Sequence, residues 1–207
     1  MSCNHVWDKD VEGWKPREYI KCVKCGKIFR DFENYVIMLT KDLSVESVLD
    51  VGTGRKGPVA EYYWVNYKSI KLGYVCDIWV IKKNLNPIWR KLKMNVLDLL
   101  KVLNPKSVDV VQAFGFLEHL KKNDGYQFLK IAEKIAKKAV ILSAATCVHG
   151  PTRDYKVKKD GNPYHYYWST WHWKEFEKLG YQTSYRDMLK KITFSEEAIA
   201  WKLLNPI

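Results

Sequence analysis

The stretch Ser47-Val48-Leu49-Asp50-Val51-Gly52-Thr53-Gly54-Arg55-Lys56-Gly57 constrains this chain more than any other part of it. An apolar strand with an acid near its end runs straight into a glycine-rich turn. Glycines carry no side chain, so a turn built from them lets a ligand come close to the backbone. The expectation is a nucleotide-like ligand at the carboxyl end of the first strand of a sheet. By letter, Gly52-x-Gly54-x-x-Gly57 also fits a dinucleotide fingerprint. Asp50 argues against that ligand, because its carboxylate would face a pyrophosphate at a helix N-terminus. A phosphate-free ligand with an ammonium and a sulfonium, such as S-adenosylmethionine, suits the carboxylate better.

The rest of the main domain alternates strand-like and helix-like stretches. Helices are expected over residues 32–41, 58–67, 125–137 and 173–179. Pro58 stands in the first turn of the second, where its missing N–H is harmless, and Gly180 stops the last. Strands are expected at Ser47–Val51, Lys71–Cys76, Met94–Val96, Val108–Ala113 and Ala139–Ser143. Residues 181–185 and 198–203 suit a final antiparallel pair. Such alternation implies an α/β fold: a Rossmann-like, doubly wound, mostly parallel seven-stranded sheet with an antiparallel C-terminal hairpin. The ligand belongs at the carboxyl ends of its strands.

From about residue 44 to 207 the chain resembles a class I S-adenosylmethionine-dependent methyltransferase. Val48-Leu49-Asp50-Val51-Gly52-Thr53-Gly54 is similar to the family's first motif, and Val108-Asp109-Val110-Val111-Gln112-Ala113-Phe114-Gly115-Phe116-Leu117-Glu118-His119-Leu120 to its fourth. The resemblance implies that Asp50, Gly52, Thr53 and Gly54 cradle the methionine part of the cofactor. It implies that Asp77, with Ile78 beside it, binds the ribose hydroxyls, and that Leu97 and Asp98 lie near the adenine. Gln112, Ala113 and Phe114 complete the implied cofactor set. The pattern departs in two places: Lys56 stands where the family often has a third glycine, and Gln112 where a different polar or acidic residue is common. Taken singly, an Asp that ends a strand is by default a cap or turn residue; the order of the motifs carries the reading.

The first residues form a separate unit, 1–31, ahead of the main domain at 32–207. Cys3-x-His5 and Cys22-x-x-Cys25-Gly26-Lys27 supply four ligands for a tetrahedral zinc ion, with the glycine easing the turn beneath the thiolates. Short strands around them complete a small zinc ribbon. A segment of about 30 residues has too little core to hold itself together, so structural Zn2+ is a plausible staple. A redox pair and plain buried cysteines are the alternatives. Five cysteines, three of them grouped with a histidine, do not form a disulfide framework, and the expected location is the cytoplasm. There is no long apolar run and no secretory leader pattern, so no membrane partner is expected.

The acceptor is expected over Gln112–Glu118 and the long loop after strand five. That loop carries Asp160-Gly161-Asn162-Pro163-Tyr164-His165-Tyr166-Tyr167-Trp168-Ser169-Thr170-Trp171, an aromatic stretch that reads as a lid. It is similar to a subset of archaeal and phage methyltransferases. Glu118, His119, His149 and His165 are the candidates for a catalytic base, each with a structural alternative. Asn162-Pro163-Tyr164 does not follow strand four, and no Pro-Cys pair is present, so the commonest DNA-methylation chemistries lack their motifs. Against 23 acidic residues stand 35 Lys and Arg, a formal charge of +12. That excess suits nucleic acid as a partner, or simply a soluble lysine-rich surface. Two functions follow. One is a methyltransferase acting on RNA or DNA ahead of protein or a small molecule. The other is a non-catalytic zinc-ribbon module for binding nucleic acid or protein that keeps the fold.

Overall fold

The computed structural model describes residues 19–21, 28–30, 43–54, 70–79, 81, 83–146, 162–164, 166–186 and 196–204. The described strands are β1 (Tyr19–Lys21), β2 (Ile28–Arg30), β3 (Ser47–Val51), β4 (Leu72–Asp77), β5 (Trp89–Lys93), β6 (Val108–Phe114), β7 (Ala136–Thr146), β8 (Gln182–Arg186) and β9 (Glu196–Leu203). Two α-helices, α1 (Lys122–Ile135) and α2 (Trp173–Lys178), and two 3-10 helices, Val96–Lys101 and Leu117–His119, accompany them.

β1 and β2 form an antiparallel pair in which Lys21 faces Ile28. The remaining strands make one seven-stranded sheet in the order β5-β4-β3-β6-β7-β9-β8. The first five run parallel. β9 lies antiparallel to both β7 and β8. The mostly parallel sheet with a reversed strand near one edge is therefore as the sequence implies.

Period-two alternation sorts the strand residues onto two faces. Leu49, Val51, Val111, Ala113, Val140 and Leu142 share one buried cluster with Phe128, Leu129, Ile131, Ala132 and Ile135 of α1. These helix positions recur at one-turn spacing, which gives α1 a single apolar stripe. Val48, Val75, Val110 and Ile141 belong to the cluster on the other face. Burial on both faces explains why the central strands read as nearly continuous apolar runs.

Several expected boundaries shift, two of them with consequences for the site. The third parallel strand is Trp89–Lys93, not Met94–Val96. It is an edge strand whose Arg90, Lys91 and Lys93 are exposed, so its sequence reads as a charged linker. Val96 instead opens a 3-10 helix capped by Asn95, whose side chain accepts from the Leu97 amide. The helix expected at 125–137 starts earlier and ends at Ile135, and Ala136 begins β7 with no loop between them. The helices expected over 32–41 and 58–67 lie outside the described residues, as do Cys3, His5, Cys22 and Cys25. No helix among the described residues is long and apolar enough to cross a membrane.

Candidate functional site

Strand register assembles the site. Val51 pairs with Cys76 on one side and with Ala113 on the other. One row further toward the carboxyl ends, Asp77 and Phe114 therefore flank Gly52. The Gly52 amide donates to the Cys76 carbonyl at 2.8 Å, extending the ladder past β3. Asp77 in turn pairs with Lys93, and Phe114 with Ser143.

Both turn glycines have positive φ, +77° at Gly52 and +55° at Gly54. Their missing side chains serve different ends. A Cβ on Gly52 would lie 2.5 Å from the Phe116 ring, so this glycine makes room for Phe116, which also packs edge-on against Phe128. A Cβ on Gly54 would meet nothing within 4 Å among the described residues, so of the two it is Gly54 that leaves room beside the turn. Between them Thr53 is only 6% exposed, and its hydroxyl is buried without a hydrogen-bond partner among the described residues.

Asp77 fastens the turn. Its Oδ2 accepts from the Gly54 amide and its Oδ1 from the Trp79 amide, both at 2.8 Å. Each carboxylate oxygen has a second lone-pair direction, so Asp77 can still receive a vicinal diol. Asp50 is 1% exposed, and its Oδ2 accepts from Gln112 Nε2 at 2.8 Å. Gln112 and Ala113 are buried within the sheet, while Phe114 is half-buried at its rim. Ile78 is exposed beside Asp77, and Leu97 packs half-buried against the core. Asp98 pairs with Lys101 at 2.7 Å on the surface of its short helix.

Beyond β6, the carbonyls of Leu117 and Glu118 anchor the aromatic segment. The Glu118 carbonyl accepts from the amides of Trp168 (2.8 Å) and Ser169 (3.3 Å). The Leu117 carbonyl accepts from Ser169 Oγ (3.1 Å) and Trp171 Nε1 (3.2 Å). Trp171 is fully buried against α1, and a Cβ on Gly125 would come within 2.3 Å of its ring. Lys122 Nζ sits 3.8 Å over the Trp171 ring and bonds Glu175 Oε2 at 2.8 Å. Burial would raise the Glu175 pKa, but Lys122 and the His172 amide hold it below the ordinary carboxylate range. Residues 166–172, the end of the stretch that the sequence reads as a lid, are thus strapped to the Leu117 and Glu118 carbonyls.

Glu118 is 3% exposed beneath this strap. His119 Nδ1 lies 3.1 Å from the Tyr166 carbonyl, and its ring stacks on Tyr167 at 5.1 Å and 16°. A carbonyl only accepts, so the neutral imidazole carries its proton on Nδ1 and keeps its basic lone pair on Nε2. His149 and His165 lie outside the described residues. Asn162 Oδ1 accepts from the Tyr164 amide at 2.9 Å, and the Tyr164 ring tilts against Trp79 at 6.1 Å. Tyr164 follows β7 in the chain, and Trp79 follows β4. Their contact therefore joins two segments distant in the chain. Sequence reading missed Trp79; its only signal is an aromatic two residues after Asp77. Among the described residues no cluster of His, Cys, Asp and Glu could hold a metal ion. Cys76 is not a candidate nucleophile, since burial first and the Asp77 charge second push its thiol up to about 12.

No protein-family model matches the sequence, and no curated protein does. Solved structures do match. The 1,6-didemethyltoxoflavin-N1-methyltransferase of Burkholderia thailandensis, with bound 1,6-didemethyltoxoflavin and S-adenosylhomocysteine, aligns with a TM-score of 0.60 and 13% identity over 83% of this chain and 77% of that one. A chain in the complex between the Haloferax volcanii Trm112 methyltransferase activator and the putative methyltransferase aligns at 0.54 and 13% identity, over 85% of this chain and 92% of that one. An O-methyltransferase family protein from Burkholderia thailandensis matches at 0.46 and 13% identity, over 82% of this chain but only 57% of its own length. The first two likenesses show that this chain has the fold of S-adenosylmethionine-dependent methyltransferases.

Proposed function

We propose that the chain is an S-adenosylmethionine-dependent methyltransferase, with a nucleic acid as the acceptor favoured over protein or a small molecule. The observation that carries this reading is the Asp77 carboxylate, fastened to the Gly54 amide where an added Cβ would meet no described atom within 4 Å. The residues fit the cofactor. Asp77 offers an acceptor pair to a ribose diol, and the Thr53 hydroxyl, with no partner among the described residues, can take a polar group at the turn. Asp50, two residues before Gly52, is the acid that the sequence offers to the ligand's ammonium. Ile78 and Leu97 give apolar walls, and Asp98 an acceptor, on the adenine side.

Bound there, the cofactor supplies a methyl group on a positively charged sulfur. The protein's part is alignment. Phe114 and Glu118 border the acceptor side in this reading, and His119 is the candidate to take a proton from the incoming nucleophile. Exposed Tyr164 and Trp168 present rings on which a base can stack, and the +12 charge suits a phosphate backbone. Structural zinc on Cys3, His5, Cys22 and Cys25 belongs to the same proposal. The β1–β2 register, with Lys21 opposite Ile28, brings together the ends of the segment that carries Cys22 and Cys25.

Calorimetry with S-adenosylmethionine and S-adenosylhomocysteine tests the cofactor, and absence of binding at millimolar ligand sinks the reading. Tritiated methyl transfer into fractionated RNA, DNA, protein and metabolites tests the acceptor; label confined to protein or metabolites overturns the nucleic-acid assignment. Metal analysis of protein purified without chelator should find about one zinc per chain.

A further inference from the structure

Between Asp77 and Asp98 the chain carries five basic residues, Lys82, Lys83, Arg90, Lys91 and Lys93, and no acidic one. Lys83, Arg90, Lys91 and Lys93 lie among the described residues, and all four are exposed. Three of them stand on β5, an edge strand of the large sheet. Lys91 Nζ bonds the Lys83 carbonyl at 2.5 Å, which draws the fourth to the same edge. Alternation along the strand sends Lys91 and Lys93 to one face and Arg90 to the other. The strand is a firm base for them: the Trp89 ring fills the space that its register partner Gly73 leaves, where a Cβ would come within 2.2 Å of it.

Several lysines elsewhere meet an acid, as Lys71 does Glu46, Lys101 Asp98, Lys122 Glu175 and Lys202 Glu133. No acid among the described residues pairs with the four cations of the β5 edge. Like charges gathered without acids repel one another, and a polyanion relieves that cost. A guard against edge-to-edge strand pairing needs no more than a charge or two. The cluster also adjoins the site. Lys93 is the register partner of Asp77, and Asp77 Oδ1 accepts from the amide of Trp79, whose ring meets the exposed Tyr164 ring.

We propose that the β5 edge, through Lys83, Arg90, Lys91 and Lys93, is the surface on which the phosphate backbone of a single-stranded nucleic acid rests. The arginine fork and the lysine ammoniums neutralise its phosphates, and the Tyr164 ring offers a stacking place to a base. This rests on the reading of the acceptor as a nucleic acid and gives that acceptor a place on the molecule.

The test is fluorescence anisotropy of the full chain with a labelled single-stranded RNA of mixed sequence over a series of salt concentrations. One variant combines Arg90→Gln, Lys91→Gln and Lys93→Gln. A control combines Lys130→Gln, Lys134→Gln and Lys178→Gln, which removes the same charge from exposed positions on α1 and α2. The β5 variant should bind about tenfold more weakly or worse, and its slope of log affinity on log salt should flatten by about 2, as for three phosphates at about 0.7 each. The control should lose about twofold or less with its slope kept. Equal losses in the two variants overturn the proposal, and an undiminished slope in the β5 variant leaves its cations as guards of the edge. Should circular dichroism show that the β5 variant is unfolded, its three single substitutions should each flatten the slope by about 0.7. Binding of the wild type to phosphatidylserine vesicles but not to RNA overturns the proposal in favour of a membrane surface. If the wild type binds no RNA or DNA strand, the nucleic-acid reading itself falls and this proposal with it. RNA binding that survives the β5 substitutions removes this surface alone.

Discussion

Asp77 and Asp109 show how differently two strand carboxylates can be used. Asp77 stands at the carboxyl end of β4 with both oxygens on backbone amides of the turn region. Asp77→Ala should weaken S-adenosylhomocysteine about 10- to 100-fold in calorimetry, with 5'-methylthioadenosine, which keeps the ribose, weakened alike. A loss limited to S-adenosylhomocysteine would remove Asp77 from the ribose. Asp109 stands near the amino end of β6, where it accepts from the Glu46 and Ser47 amides and the Ser47 hydroxyl. Burial would raise its pKa, but these donors and Lys138 hold it lowered. A depressed carboxylate stabilises the fold above its unfolded value of about 3.8 and loses that contribution as pH falls through the folded value. The stability gap between wild type and Asp109→Asn, followed by urea unfolding, should therefore narrow below about pH 4. A gap that widens there would contradict the assignment. Asp50, Asp77 and the turn were legible because their order along the chain is a pattern. Asp109 was not, since its donors come from a strand start more than sixty positions earlier.

At the scale of elements, α1 and the aromatic strap depend on one small residue. Gly125 sits in the first turns of α1, where alanine would ordinarily stabilise a helix by about 1 kcal/mol. Here the added carbon would strike Trp171 at 2.3 Å. Gly125→Ala should therefore destabilise by about 1–3 kcal/mol in chemical denaturation, the usual effect of overpacking. A rise in stability would mean that Trp171 is not seated in this notch. The central strands were legible from their apolar runs, and α1 from its stripe. β5 was not, because an edge strand has little to bury and carries lysine and arginine outward. The strap was read as a lid because aromatic content alone does not say whether rings point out or in. Its seat is a pair of carbonyls at Leu117 and Glu118, and backbone acceptors leave no trace in a sequence.

At the scale of the whole molecule, the basic excess and the exposed rings make one joint expectation. Binding to a single-stranded oligonucleotide, measured by fluorescence anisotropy, should fall linearly in log affinity with log salt, by about 0.7 for each phosphate neutralised. A salt-independent affinity would leave the charge as a solubility device. The sheet order carries a separate consequence, for the history of each molecule. β3 is the first strand of the large sheet to be synthesised, yet it ends at the centre, between β4 and β6. Its Asp50 accepts from an amide 62 positions further along the chain. Until β6 leaves the ribosome, the nascent chain therefore holds an acidic strand with one edge open. Contacts this distant form slowly and late. In refolding, recovery of helical signal should precede recovery of ligand binding, because the binding turn has no floor until β6 closes beside it.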